Sequence, residues 1–246
     1  MNKEYFNISY ELSPSEALER IGRRVEEGPA GYICVADGNI LTRVHVDMDY
    51  RKVVNGSMFS ICDSSWVPLY LKMLYGIRPE QYCGSQIFRD ITEMKRYRML
   101  FMGASQTVLD ALKGEMVKVD PRIADMQFVE LPFRKVEDFD YAQIAAQVNE
   151  DAPDIIWLAL GAPKQEQFAA RLVPLLDRGV VIPVGAVFNF RSGLNIRRAP
   201  DWMVKCHLEF VYRIFSEPKK QLGRVWGILK ALPGIYAEER RKKNNR

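Results

Sequence analysis

Histidine is scarce in this chain: His45 and His207 are the two it has among 246 residues. A histidine-rich metal centre is therefore not expected, and neither a metal nor another cofactor is assigned. The four cysteines, Cys34, Cys62, Cys83 and Cys206, show no C-x-x-C spacing, and three lie in or beside apolar stretches. That pattern points to reduced, buried thiols rather than a disulfide framework or a zinc site. No apolar run approaches the length needed to span a bilayer, and the opening "MNKEYFNISYELSPSEALER" has no apolar signal segment, so a cytoplasmic location is expected. Internal repeats are absent, and the terminal "RRKKNNR" is the one low-complexity stretch.

What is present is ordinary globular material, 48% hydrophobic and 27% charged, enough for one large domain or two small ones. The net charge of +4 conceals an asymmetry. Residues 191–246 hold fourteen Lys/Arg against five Asp/Glu, a charge of +9, while the preceding 190 residues hold 21 against 26, a charge of −5. A basic C-terminal segment on a mildly acidic body suggests an anionic partner at that end. The segment lacks a base-reading motif, so a nucleic-acid partner is not expected.

Short apolar runs alternate with helical patterns along the chain. "GYICVAD", "MFSICD", "YRMLFMG", "MQFVELPF", "DIIWLALG" and "VVIPVGAVFNF" read as strands. Helical patterns cover residues 40–55, "WVPLYLKMLYG", "SQTVLDALKGEM", "YAQIAAQVNED" and residues 163–178. This alternation predicts an α/β fold, a Rossmann-like and mostly parallel sheet flanked by helices. From residue 201 the pattern changes to long basic helices, so the expected division is an α/β domain over 1–200 and a helical appendage over 201–246.

In such sheets ligands bind beyond the carboxyl ends of the strands. Attention falls on Asp37, Asp63, Gly103, Gly185 and above all the junction "WLALGAPKQEQFAARL". There Gly161 precedes Pro163, Lys164, Gln165 and Glu166 at a helix start. A lysine beside the positive end of a helix dipole is disfavoured unless an anion sits nearby. Phosphate would satisfy lysine, backbone donors and dipole together; a solvated lysine on an ordinary helix start is the competing reading.

"LGAPKQE", then "VGAVFNFRSGLNIRRAP", then "LEFVYRIFSEPKK", in that order, make the chain similar to the bacterial WecG/TagA/CpsF glycosyltransferases, family 26. The resemblance runs from about residue 32 to 232. It implies inverting, metal-independent transfer of a sugar from a UDP-sugar to a polyprenyl-diphosphate-linked saccharide at the inner face of the plasma membrane. N-acetylmannosamine, its uronic acid and hexoses are the family's sugars. It further implies that Asp63 is the general base, with Ser64 where the family has glycine. Asp37 falls where the family has asparagine, placing a second carboxylate near the first as the alternative base; a turn or helix cap is the competing reading for either aspartate. Gly84 and Ser85 of "YCGSQIF" match a nucleotide or sugar contact, with Gln86 replacing an acid, and "FMGAS" with Gly103 matches the strand end near the nucleotide.

On the same resemblance Gln165 contacts the sugar or acceptor, Lys164 serves phosphate or structure, and Glu166 caps or orients the helix start. Asn189 stands where aspartate is common, and Arg198 is a candidate diphosphate clamp because guanidinium offers a planar fork. Arg213 and Arg224 reach the leaving diphosphate once the appendage docks. Leu222, Val225, Trp226, Leu229 and Leu232 fall at helical spacing among Lys219, Lys220, Arg224 and Lys230, as expected of a helix on an anionic membrane; packing on the sheet domain is the alternative. Homo-oligomerisation stays open. The departures at Asp37, Ser64, Gln86 and Asn189 also leave room for a non-catalytic UDP-binding scaffold.

Overall fold

The segment Gly31–Ala36 is buried throughout, and the architecture is organised around it. The structure, a computed structural model, describes residues 3–64, 66–194 and 218–245. Successive N–H groups of an extended segment point to opposite neighbours. Accordingly Ile33 N–H donates to the Val181 carbonyl (3.1 Å) on one side and Cys34 N–H to the Phe59 carbonyl (3.1 Å) on the other. The one strand expected here is thus shared between two sheets, as β3 (Gly31–Tyr32) and β4 (Cys34–Ala36).

The first sheet has the order β1-β2-β5-β4, with β1 (Lys3–Tyr5), β2 (Ile8–Tyr10) and β5 (Ser60–Cys62). The second runs β3-β9-β8-β6-β7, with β6 (Met99–Gly103), β7 (Phe128–Val129), β8 (Ile155–Ala159) and β9 (Val180–Pro183). Among the described residues every pairing except β1 with β2 is parallel. The mostly parallel α/β class read from the sequence is the one observed.

Side chains alternate across the sheet plane, and each half joins its own core. Leu100, Met102, Ile156 and Leu158 meet one core. On that face lie α2 (Gly38–Val46), α3 (Met48–Asn55), α4 (Trp66–Tyr75), α7 (Tyr141–Asp151) and α8 (Lys164–Leu172). Met99, Phe101, Ile155 and Trp157 meet the other core. It is covered by α1 (Pro14–Glu27), α5 (Gly84–Glu93), α6 (Gln106–Val119) and α9 (Val187–Ser192). Helix α1, which the sequence reading left unassigned, carries a Ser13 cap, a proline in its first turn and buried Ala17, Ile21 and Val25 at four-residue spacing.

Two expected elements are divided. The helix expected over 40–55 breaks at Asp47, whose extended backbone ends α2 and whose Oδ1 accepts from Tyr50 N–H (2.9 Å) to start α3. The strand expected over 180–190 stops at Pro183, and the chain enters α9 after Gly185 turns at φ +55°.

The last helix, α10 (Pro218–Asn244), packs its distal half on the body. Leu232 and Ile235 are buried, and Tyr236 meets Tyr70 edge-on at 5.1 Å. Leu232 thus leaves the membrane-facing stripe expected from the sequence, because the body covers it. Trp226 is 72% exposed and Leu229 45%, while the side chains of Leu222 and Val225 lie outside the described residues. The distal half grips the β1–β2 turn, whose residues Phe6 and Asn7 both have positive φ. That conformation matches the tight hairpin turn but is uncommon for phenylalanine. Glu239, 2% exposed, accepts from Phe6 N–H and from Tyr75 O–H, each at 2.9 Å. Glu238 accepts from Asn7 Nδ2 (3.0 Å) and lies 2.9 Å from His45 Nδ1. Replacing Glu239 by alanine leaves two donors without their acceptor, one of them in a buried contact, and is expected to cost about 2–4 kcal/mol, read as a lowered urea midpoint together with faster exchange of the Phe6 amide.

Candidate functional site

The parallel register decides which strand ends meet. Ala36 pairs with Cys62, so the next residues, Asp37 and Asp63, emerge side by side from β4 and β5; Asp63 N–H donates to the Ala36 carbonyl (3.1 Å). Gly103 pairs with Ala159, and Leu158 with Pro183. These ends surround a cleft of about 430 Å³ lined by Asp37, Asp63, Gly84, Ser85, Gly161, Gln165, Gly185 and Asn189. Eight of the residues singled out in the sequence are brought together here. The first turns of α2, α5, α6 and α8 all contribute lining residues. Their positive dipole ends and amides make the cleft favourable to anions.

The two aspartates differ in their work. Asp37 is the cap of α2, its Oδ1 accepting from Asn39 N–H and Ile40 N–H at 2.9 Å each. At α4, the first described amide, Trp66 N–H, is taken by Ser64 Oγ (3.2 Å). Asp63 is half-buried and lines the cleft. Gln86 turns back onto Cys83 N–H (2.8 Å) as a capping-box acceptor at the start of α5, which presents Gly84 and Ser85 to the cleft.

The Pro-Lys-Gln-Glu junction separates its residues by role. Ala162–Pro163 is a cis peptide, and Pro163 caps α8 without lining the cleft. Lys164 does not join the lining; its ammonium sits 5.3 Å from the Phe133 ring centroid and 5.1 Å from that of Phe139. Desolvation there, with the Arg134 charge second, lowers its pKa. Of the two roles expected for Lys164, phosphate or structure, the contacts seen are the structural one, cation–π packing. Gln165, 5% exposed, accepts from Gly161 N–H at Oε1 (3.0 Å) and donates through Nε2 to Glu166 Oε1 (2.8 Å). Glu166 is fully buried; its carboxylate takes its own backbone N–H in the first turn of α8, and its Oε2 accepts from Tyr50 O–H (2.9 Å). Burial pushes the Glu166 carboxyl from 4.5 up to about 7; hydrogen bonds from Gln165 and Tyr50 oppose the rise, and the Asp37 charge adds to it.

Two glycines are required by close approach. A Cβ on Gly103, at φ +105°, would stand 2.6 Å from the Ala159 carbonyl oxygen, so Gly103 shapes the strand end without lining the cleft. A Cβ on Gly185, at φ +55°, would press on Gln165 Oε1 at 3.3 Å. Arg198 and Arg213 lie outside the described residues, as does the side chain of Arg224 on α10. Tyr50 went unrecognised in the sequence, because nothing local marks a tyrosine on α3 as the partner of a carboxylate 116 positions later. Among the described residues no group of three or more His, Cys, Asp or Glu could hold a metal ion.

Comparison with known proteins adds to this geometry. The chain matches the profile of the "Glycosyl transferase WecG/TagA/CpsF family" over residues 4–245. It is 28% identical over 200 residues to the N-acetylglucosaminyldiphosphoundecaprenol N-acetyl-beta-D-mannosaminyltransferase of Bacillus subtilis (strain 168), covering 80% of this chain and 75% of the relative. The enzyme of the same name from Bacillus spizizenii is 26% identical, with 88% and 82% covered. That from Staphylococcus aureus (strain MW2) is 20% identical, with 82% and 76% covered. The chain belongs to the WecG/TagA/CpsF glycosyltransferase family.

The Glu166 shift has a consequence for stability. A carboxyl raised from 4.5 to about 7 binds more protons in the folded than in the unfolded state between those values. Its stabilising contribution is complete below the unfolded pKa and is lost as pH rises through the folded one, about 3 kcal/mol in all. Urea midpoints of wild type and Glu166→Gln at pH 5 and pH 8 are expected to show the wild type losing more stability on going to pH 8.

Proposed function

We propose that this glycosyltransferase moves an N-acetylmannosamine-type sugar or related hexose from a UDP-sugar to a polyprenyl-diphosphate-linked saccharide in cell-surface polysaccharide synthesis. The transfer inverts the anomeric centre and uses no metal. One observation carries the reading: Asp63 stands in the cleft beside Asp37, while Asp37 is committed to capping α2. Asp63 then takes the proton from the acceptor hydroxyl, and that oxygen forms the new bond to the sugar's anomeric carbon. The bond from that carbon to the diphosphate breaks, and UDP leaves with the electron pair. The first turns of α5 and α6 hold the charge on the leaving group, joined by Arg198, Arg213 and Arg224. Gln165, in the cleft wall, contacts the sugar or acceptor, and Asn189 lines the same cleft.

The names of the relatives support an acceptor of this kind, a sugar on diphosphoundecaprenol. Three of the four departures from the family pattern also fit an active enzyme, since Asp37, Ser64 and Gln86 each accept a backbone N–H at a helix start. We divide the chain into a nucleotide-sugar-binding domain over 1–200 and a basic appendage over 201–246 that meets the inner face of the plasma membrane. Its exposed Trp226 and Leu229 support that contact. No described helix is long and apolar enough to cross a membrane.

UDP release from a panel of UDP-sugars, with a polyprenyl-diphosphate-sugar acceptor in anionic liposomes, tests the chemistry. Asp63→Asn is expected to lose acceptor-dependent release by about 10²–10⁴-fold while still binding UDP; equal release by both proteins would move the base elsewhere. Sedimentation with anionic vesicles tests the appendage: Trp226→Glu is expected to weaken binding several-fold, and unchanged binding would take the membrane contact away from this helix.

A further inference from the structure

We infer that Glu166 and Tyr50 are positioning residues, which through two hydrogen bonds hold the Gln165 amide in the one orientation that presents its remaining N–H and carbonyl lone pair to the cleft. The inference rests on the reading of Gln165 as a substrate contact, and it stands on geometry. A glutamine amide can make four hydrogen bonds, and its two ends are interchangeable in shape. Here the protein distinguishes them. Oε1 accepts from Gly161 N–H at 3.0 Å, and Nε2 donates to Glu166 Oε1 at 2.8 Å. A flipped amide would set N–H₂ against the Gly161 N–H and oxygen against the carboxylate, losing both bonds and adding two repulsions. Gly185 closes the third side, where a Cβ would already meet Oε1 at 3.3 Å.

The discriminating partner is the ionised form of Glu166. As a carboxylate it accepts from Nε2 on one oxygen and from the Tyr50 hydroxyl on the other, 2.9 Å away. Protonated, it becomes partly a donor, and the charge-assisted bond that fixes the amide is weakened. Around it stand Tyr50 of α3, Tyr32 of β3, Cys34 of β4, Asp37 ahead of α2 and Gln165 of α8. The burial that lifts this carboxyl to about 7, together with the Asp37 charge, brings its titration into the working range of a cytoplasmic enzyme. The hydroxyl of Tyr50 opposes that rise.

The test is the pH dependence of transfer between pH 5.5 and 9 in wild type, Tyr50→Phe and Glu166→Gln, alongside the ¹⁵N side-chain amide signal of Gln165. In wild type, kcat is expected to fall about tenfold on the acid side, with a midpoint near 7, and the Gln165 amide signal to move with the same midpoint. Tyr50→Phe removes a bond to the charged form, so both midpoints move to higher pH. Glu166→Gln abolishes the acid limb and lowers kcat about tenfold, with the donor KM within twofold. An acid limb that stays in place in Tyr50→Phe belongs to Asp63 or another group and overturns the inference, as does an amide signal that does not titrate. If Glu166→Gln does not fold, the Tyr50→Phe shift decides alone. Absence of turnover with every donor counts against the proposed transferase reaction, and the amide titration in wild type and Tyr50→Phe then decides this inference separately.

Discussion

The buried Glu166 carboxyl is the point on which the site depends. Its two oxygens tie α3 to α8 and, through Gln165, to the loop after β8 that walls the cleft. Full burial of a carboxyl disfavours its charge, so the fold bears a cost to keep an acceptor there. An apolar side chain of similar size would pack without that penalty but could not tell one end of a glutamine amide from the other. Stability and orientation thus pull against each other at one residue, a conflict common at functional sites.

Around that point the sheet supplies a field rather than a set of charged side chains. Several helices begin at the carboxyl edge, and their first turns converge on the same cleft. Lys164 lies on two phenylalanine rings beside the cleft rather than in its lining. Hydrogen-bonding side chains hold these helix starts in place. Asp37, Ser64 and Gln86 each receive a backbone N–H at a helix start.

A second constraint joins the ends of the chain. The N-terminal hairpin turn and the distal half of α10 meet through Glu238 and Glu239, and the buried carboxylate of Glu239 receives one donor from the hairpin and one from α4. The helix therefore has two parts with different solvents in view. Leu232, Ile235 and Glu239 belong to the protein interior, whereas Trp226 faces outward.

The alternation of "YRMLFMG" and "DIIWLALG" with helices determined the parallel α/β class, because strands buried on both faces need continuous apolar runs and crossover helices. Strand ends rich in glycine and aspartate likewise marked the cleft, and Asp37, Asp63, Gly161, Gln165 and Gly185 were legible there without coordinates, while Gly84 came from the family resemblance alone. Short elements were less legible: the hairpin strands are three residues each and a strand shared by two sheets looks in sequence like any other, whereas α1, with its Ser13 cap and four-residue apolar spacing, carried a signal that was passed over. What only the tertiary structure decided is which polar side chain serves which end. Periodicity reports which face a residue occupies, and it cannot report that Asp37 caps a helix, that Lys164 lies on Phe133 and Phe139, or that Tyr50 meets Glu166 across 116 positions. Those pairings arise from the packing of distant elements, where distances of about 3 Å, rather than residue type, set the chemistry.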